Sequence, residues 1–193
     1  MRVVVVVHDY VTDMAAREVA RLRELLASIT RTEVTICALS ELRDSSCSIS
    51  EKDLVYPLLL LRGRGYSEVL SVASTRGARV ISLLSLEDIV EALSRELVGC
   101  SSVLLVHAEA GRSKALNDIA RELGEKLKAF VEVSRDCSSV ADCIVVASLL
   151  PGSTTLRSLE RCGDRVVIPY LLPLLENTIV ERLKRYTEAS SDL

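Results

Sequence analysis

The stretch Val3-Val4-Val5-Val6-Val7-His8-Asp9-Tyr10 decides the reading of this chain, because Val103-Leu104-Leu105-Val106-His107-Ala108-Glu109 opens its second half in the same way. A run of β-branched and aliphatic residues without polar alternation marks a strand buried on both faces, the habit of a parallel sheet covered by helices. His8 and His107 are the only histidines in the sequence, and each stands where its strand should end. In open α/β sheets ligands bind beyond the carboxyl ends of the strands, so a polar side chain at that point faces the usual site rather than the core.

Outward from the first strand, Met14, Val19, Leu22, Leu25, Leu26 and Ile29 recur at helical spacing and predict a helix near 12–29, with Thr12 as its N-cap. Strands are expected at 33–39, 54–61 and 79–84, and helices near 66–76 and 86–97. Between them lie the polar stretch that begins Arg43-Asp44 and the turn Arg62-Gly63-Arg64-Gly65. The second half repeats this order, with strands at 103–106, 129–134, 143–150 and 165–172 and helices at 113–128, 154–162 and 174–186. Single residues recur with the pattern: Arg43-Asp44 with Arg135-Asp136, Asp53 with Asp142, Gly63 with Gly152, and Ile89-Val90-Glu91 with Ile179-Val180-Glu181. Their common order and nearly constant separation identify an internal duplication. The expected fold is therefore α/β: two tandem domains, 1–98 and 101–193, each a parallel four-stranded sheet flanked by helices.

Composition narrows the function classes. The 193 residues are 49% hydrophobic with a mean hydropathy of +0.29, ample for a buried core. A net charge of −3 argues against a nucleic-acid-coating surface, which needs a basic face. No apolar run approaches the roughly 20 residues that span a bilayer, and Met1-Arg2 leads directly into a strand without a cleavage site. The expectation is a cytoplasmic monomer or homodimer that binds neither nucleic acid nor membrane. The six cysteines include no C-x-x-C pair, so a zinc or iron–sulfur site is not expected. Gln and Trp are absent and Arg outnumbers Lys, a composition that leans toward a heat-adapted source, in which intracellular disulfides occur.

Imidazole is the commonest transition-metal ligand among side chains, which makes His8 and His107 the candidate metal ligands. Asp9 and Glu109 stand beside them as carboxylates able to take up protons, completing a candidate catalytic set of four. The alternative is that each histidine donates to a backbone carbonyl at a strand end. In the Arg62-Gly63-Arg64-Gly65 turn, glycines let successive N–H groups face one anion while guanidinium groups bind carboxylate or phosphate. The turn lacks the spacing of a Walker loop and of a G-x-G-x-x-G fingerprint. Its alternative is a strand-to-helix turn with solvated arginines. In the equivalent turn, Ser153 or Thr154 is expected to cap the next helix.

A strand ending in V-x-H, a long helix, and a later strand Val55-Tyr56-Pro57-Leu58-Leu59-Leu60-Leu61 running into a glycine turn resemble the class II tetrapyrrole chelatases, the sirohydrochlorin cobalt- and ferrochelatases. The likeness spans nearly all of both halves, in the family's tandem-domain form. His8 and His107 match the first-strand histidine, although Asp9-Tyr10 and Ala108-Glu109 replace the family's glycine and serine. Where the family's second histidine should fall stand Arg64 or Gly65 and, in the second half, Thr154. The resemblance implies insertion of cobalt or iron, the metal being a substrate and no other cofactor being needed, into sirohydrochlorin or a related tetrapyrrole of siroheme or cobalamin biosynthesis. It gives His8 and His107 the metal, Asp9 or Glu109 the pyrrole protons, and Arg62, Gly63, Arg64, Gly65 and Arg112 the acidic arms of the macrocycle. The other reading is a non-catalytic member of the same fold that binds a tetrapyrrole, a metal or a small anion.

Overall fold

The computed structural model describes residues 2–60, 63–81, 84–137 and 139–188, with Thr154 described by its backbone alone. Two four-stranded sheets, every pairing parallel, are built in the same order. In the first, β1 (Arg2–Val7) lies between β2 (Glu33–Ala38) and β3 (Asp53–Pro57), with β4 (Arg79–Val80) outside β3. In the second, β5 (Ser102–Val106) lies between β6 (Phe130–Ser134) and β7 (Cys143–Val146), with β8 (Val166–Ile168) outside β7. The two strands that carry the valine-rich runs are thus central ones, and Val3 to Val7 and Val103 to Val106 are at most 1% exposed. A strand with neighbours on both edges and helices on both faces has no wet side, which is why these runs do not alternate.

Helix α1 (Asp13–Thr30) buries Ala15, Val19, Leu22 and Leu26, and Thr12 caps it by accepting the N–H of Ala15 at 3.1 Å. Met14, expected on that stripe, faces outward at 41% exposure. Its counterpart α5 (Lys114–Leu127) is capped by Ser113, which accepts the N–H of Leu116 at 3.3 Å. A five-residue helix, α2 (Leu39–Arg43), occupies the end of the expected strand 33–39 and the start of the polar stretch. Helix α3 (Arg64–Thr75) begins two residues before the predicted start at 66, directly on the glycine turn. Its counterpart α6 (Ser153–Cys162) has Gly152 as N-cap without a side-chain cap, so Ser153 is the first helical residue rather than the expected cap, and the side chain of Thr154, the other expected cap, lies outside the described residues.

The strands expected at 54–61 and 143–150 stop at Pro57 and Val146, and those expected at 79–84 and 165–172 are also shorter. A strand persists only while a neighbour continues beside it. The N–H of Leu58 reaches the carbonyl of Val6 at 2.8 Å, and the N–H of Ala147 reaches that of Val106 at 2.9 Å, after which β1 and β5 have ended. Leu58, Leu59 and Leu60 keep their apolar role without being strand, because the loop itself is buried.

Packing groups the chain into two compact units, Met1–Leu84 with Asn177–Leu193, and Ser85–Glu176. The repeat assigns α4 (Leu86–Glu96) to the first half and the final helix α7 (Leu172–Glu188) to the second, whereas the units exchange α4 and most of α7. In the second unit Glu91 of α4 forms an ion pair with Lys126 of α5. In the first, the guanidinium of Arg79 lies 5.9 Å from the centre of the Tyr186 ring of α7. All six cysteines are paired: Cys37–Cys47 in the first unit, Cys100–Cys143 and Cys137–Cys162 in the second.

Candidate functional site

In the first unit β1 delivers His8 and Asp9, both exposed, to the carboxyl edge of the sheet. Asp9 is engaged there: its Oδ1 accepts the backbone N–H of Ser40 at 2.7 Å, tying the loop after β1 to the start of α2. Burial pulls the Asp9 carboxyl upward, but the Ser40 hydrogen bond, with the charges of Arg43 and His8, outweighs it and holds the group below its ordinary value. An acid held ionised in this way is a weak acceptor for a proton.

The glycine turn lies beyond the end of β3, beside this loop in the strand order. Gly63 is the N-cap of α3 and has open space where a Cβ would stand. Gly65 is different, because a Cβ there would lie 2.7 Å from Cδ1 of the buried Leu39, the first residue of α2. The close approach of α2 and α3 therefore gives Gly65 a packing reason of its own. Arg64 is 92% exposed and its Nε lies 3.1 Å from Glu68, one turn along the same helix. Glu68 also receives Arg43 of α2 at 2.7 Å, so this carboxylate staples the two helices. Those two arginines, Arg43 first, hold Glu68 below the usual carboxylate range. Arg62 lies outside the described residues.

In the second unit His107 follows β5 directly and its ring is half-buried. Its backbone N–H donates to Ser134 at 2.9 Å, and its Nδ1 accepts the N–H of Glu109 at 3.0 Å. One nitrogen of the ring is thus an acceptor for the backbone of its own loop. Glu109 and Arg112 are both exposed, in a turn closed by Arg112 N–H to the Glu109 carbonyl at 3.0 Å. Among the described residues no group of three or more His, Cys, Asp or Glu side chains is arranged to hold a metal ion.

A cleft of about 180 Å³ opens beside this loop, lined by Ala108, Arg135, Asp136, Cys137, Arg157, Ser158 and Arg161. In the sequence Arg135 stands out only as a mark of the repeat, and Arg157 and Arg161 carry no motif. Alignment of the two halves on Gly63 and Gly152 singles out Arg157, since it sets this residue against Glu68, but sets Arg161 only against Val72.

No protein-family model matches the chain, and no curated protein matches it by sequence. A solved structure does: CbiX, the terminal enzyme for biosynthesis of siroheme in denitrifying bacteria, with a TM-score of 0.62 and 17% identity. The match covers 96% of this chain and 99% of that one, both sheets included. The chain shares the fold of CbiX. Two tandem α/β halves are common to both, and the CbiX likeness extends over the whole duplication rather than one half of it.

Proposed function

We propose that this chain is a chelatase-like protein that inserts a divalent metal, cobalt or iron, into sirohydrochlorin or a related tetrapyrrole. The observation that carries the reading is the repeated placement of a histidine, with a carboxylate one or two residues on, at the end of the central strand of both sheets of a CbiX-like fold. The chemistry asks for a ligand that holds the metal and lets it go, a base for two pyrrole protons, and cations for the acidic arms. His8 in the first unit and His107 in the second each offer a transient ligand that can hold the ion and release it to the ring nitrogens. With Asp9 committed to Ser40, the pyrrole protons pass to Glu109 or to an imidazole after it has released the metal. Arg64 in the first unit and Arg112 in the second are exposed cations at their turns, each suited to a carboxylate arm. We place the protein in the cytoplasm; no helix of its described residues is long and apolar enough to cross a membrane.

The test is an absorbance titration of the protein with sirohydrochlorin, followed by cobalt or ferrous ion. A shifted macrocycle spectrum and then metal-dependent conversion are expected, and His8→Ala and His107→Ala should each abolish the conversion while leaving the fold intact. No spectral change with the macrocycle alone removes both tetrapyrrole readings.

A second reading, a non-catalytic member of the fold that binds a tetrapyrrole, a metal or a small anion, is favoured by one observation. His107 spends Nδ1 on the Glu109 amide. A shifted spectrum without conversion by either metal selects it.

A further inference from the structure

The two units differ in charge at one equivalent place. Arg135 occupies the repeat position of Arg43, and Arg157 that of Glu68, each of the latter pair five residues beyond the glycine that caps its helix (68 − 63 = 157 − 152). In the first unit Arg43 and Glu68 meet at 2.7 Å, and the position is electrically closed. In the second unit the carboxylate has become a guanidinium, and Arg161 follows one turn later on the same face of α6. All three arginines line one cleft, against a single acid, Asp136. Among the described residues none of the three forms an ion pair. One nitrogen of Arg135 and one of Arg157 are held by carbonyls, Ala110 and Ser153, each at 3.3 Å. The Cys137–Cys162 disulfide joins the loop after β6 to the last residue of α6, so the segments that present the arginines are covalently tied.

Like charges gathered around a cleft repel, and the arrangement is completed by an anion from outside. We propose that the cleft of Arg135, Arg157 and Arg161 is a binding site for a compact oxyanion, either a group of carboxylates or a phosphate, which takes the place that the Glu68 carboxylate fills in the first unit. The proposal is independent of the tetrapyrrole reading, because it concerns small anions and a single unit.

The experiment is isothermal titration of the full chain, oxidised, with citrate and separately with pyrophosphate. Saturable binding of at least one is expected, and which of them binds distinguishes a carboxylate from a phosphate source. Arg157→Glu writes the first unit's ion pair into the second and should weaken that binding about tenfold or more, the loss of a charge-assisted hydrogen bond. If that variant does not fold, the double variant Arg157→Gln/Arg161→Gln reads the same loss. The proposal is overturned if neither anion binds saturably, or if the folded variants bind as the parent does.

Discussion

Nδ1 of His107 accepts the backbone N–H of Glu109 at 3.0 Å. A neutral imidazole that accepts at Nδ1 carries its proton on Nε2, so neither nitrogen offers a lone pair to a metal as the ring stands. Coordination through Nε2 moves the proton to Nδ1 and breaks the bond to Glu109. Addition of cobalt should therefore shift the Glu109 amide resonance in a ¹H–¹⁵N spectrum, together with the His107 ring signals. A Glu109 amide that stays in place while the ring signals respond would show that the metal binds elsewhere on the residue's loop.

Arg2 grips Asp53 through two hydrogen bonds, at 2.6 and 3.2 Å, and so fastens the starts of β1 and β3. Burial pulls the Asp53 carboxyl upward, but the Arg2 guanidinium and the N–H of Ser50 prevail and hold it below its ordinary value. A group with a depressed folded pKa stabilises the fold above the unfolded value, near ~3.9 for Asp, and loses that contribution as the pH falls through the folded value. Denaturant titrations should show the parent losing stability below about pH 4 more steeply than Asp53→Asn. At neutral pH that variant should be about 1–3 kcal/mol less stable, because the partly buried Arg2 loses its counter-charge.

The two glycines of the α3 turn should separate by what stands near them. Gly65→Ala sets a methyl 2.7 Å from Leu39 Cδ1, forces that buried side chain aside, and should cost about 1–3 kcal/mol of unfolding free energy. Gly63→Ala meets nothing within 4 Å and should leave stability within about 0.5 kcal/mol. If Gly63 helps to cradle an anion, its variant loses macrocycle affinity at unchanged stability, which the absorbance titration measures.

Of the three disulfides, Cys100–Cys143 spans 43 residues, Cys137–Cys162 spans 25 and Cys37–Cys47 spans 10. A crosslink removes more entropy from the unfolded chain the longer its loop, which gives about 4.0, 3.5 and 2.7 kcal/mol in that order. Paired Cys→Ala variants compared in urea should rank accordingly. Equal losses for all three would mean that packing around the cysteines, rather than loop closure, sets the effect.

The sequence by itself determined the class of fold, because the signals for it are local. Five consecutive valines are readable as a doubly covered strand without knowing their neighbours, Thr12 is readable as a cap from the helical pattern that follows it, and the ordered recurrence of Arg43-Asp44 as Arg135-Asp136 and of Gly63 as Gly152 establishes the duplication. The ends of the central strands were legible for the same reason, and with them His8 and His107. Strand lengths were not, since β3 ends where β1 ceases to run beside it, a fact of pairing that Leu58 to Leu60 do not encode. Only the tertiary structure decided that α4 joins the second unit, which cysteines pair, and that Asp9 is spent on Ser40, because each depends on which distant segment arrives alongside. The same holds for the arginine cleft: Arg135 and Arg157 are unremarkable polar residues in their own segments, and they become a site only because β6 and α6 bring them to one place without the carboxylate that the first unit keeps.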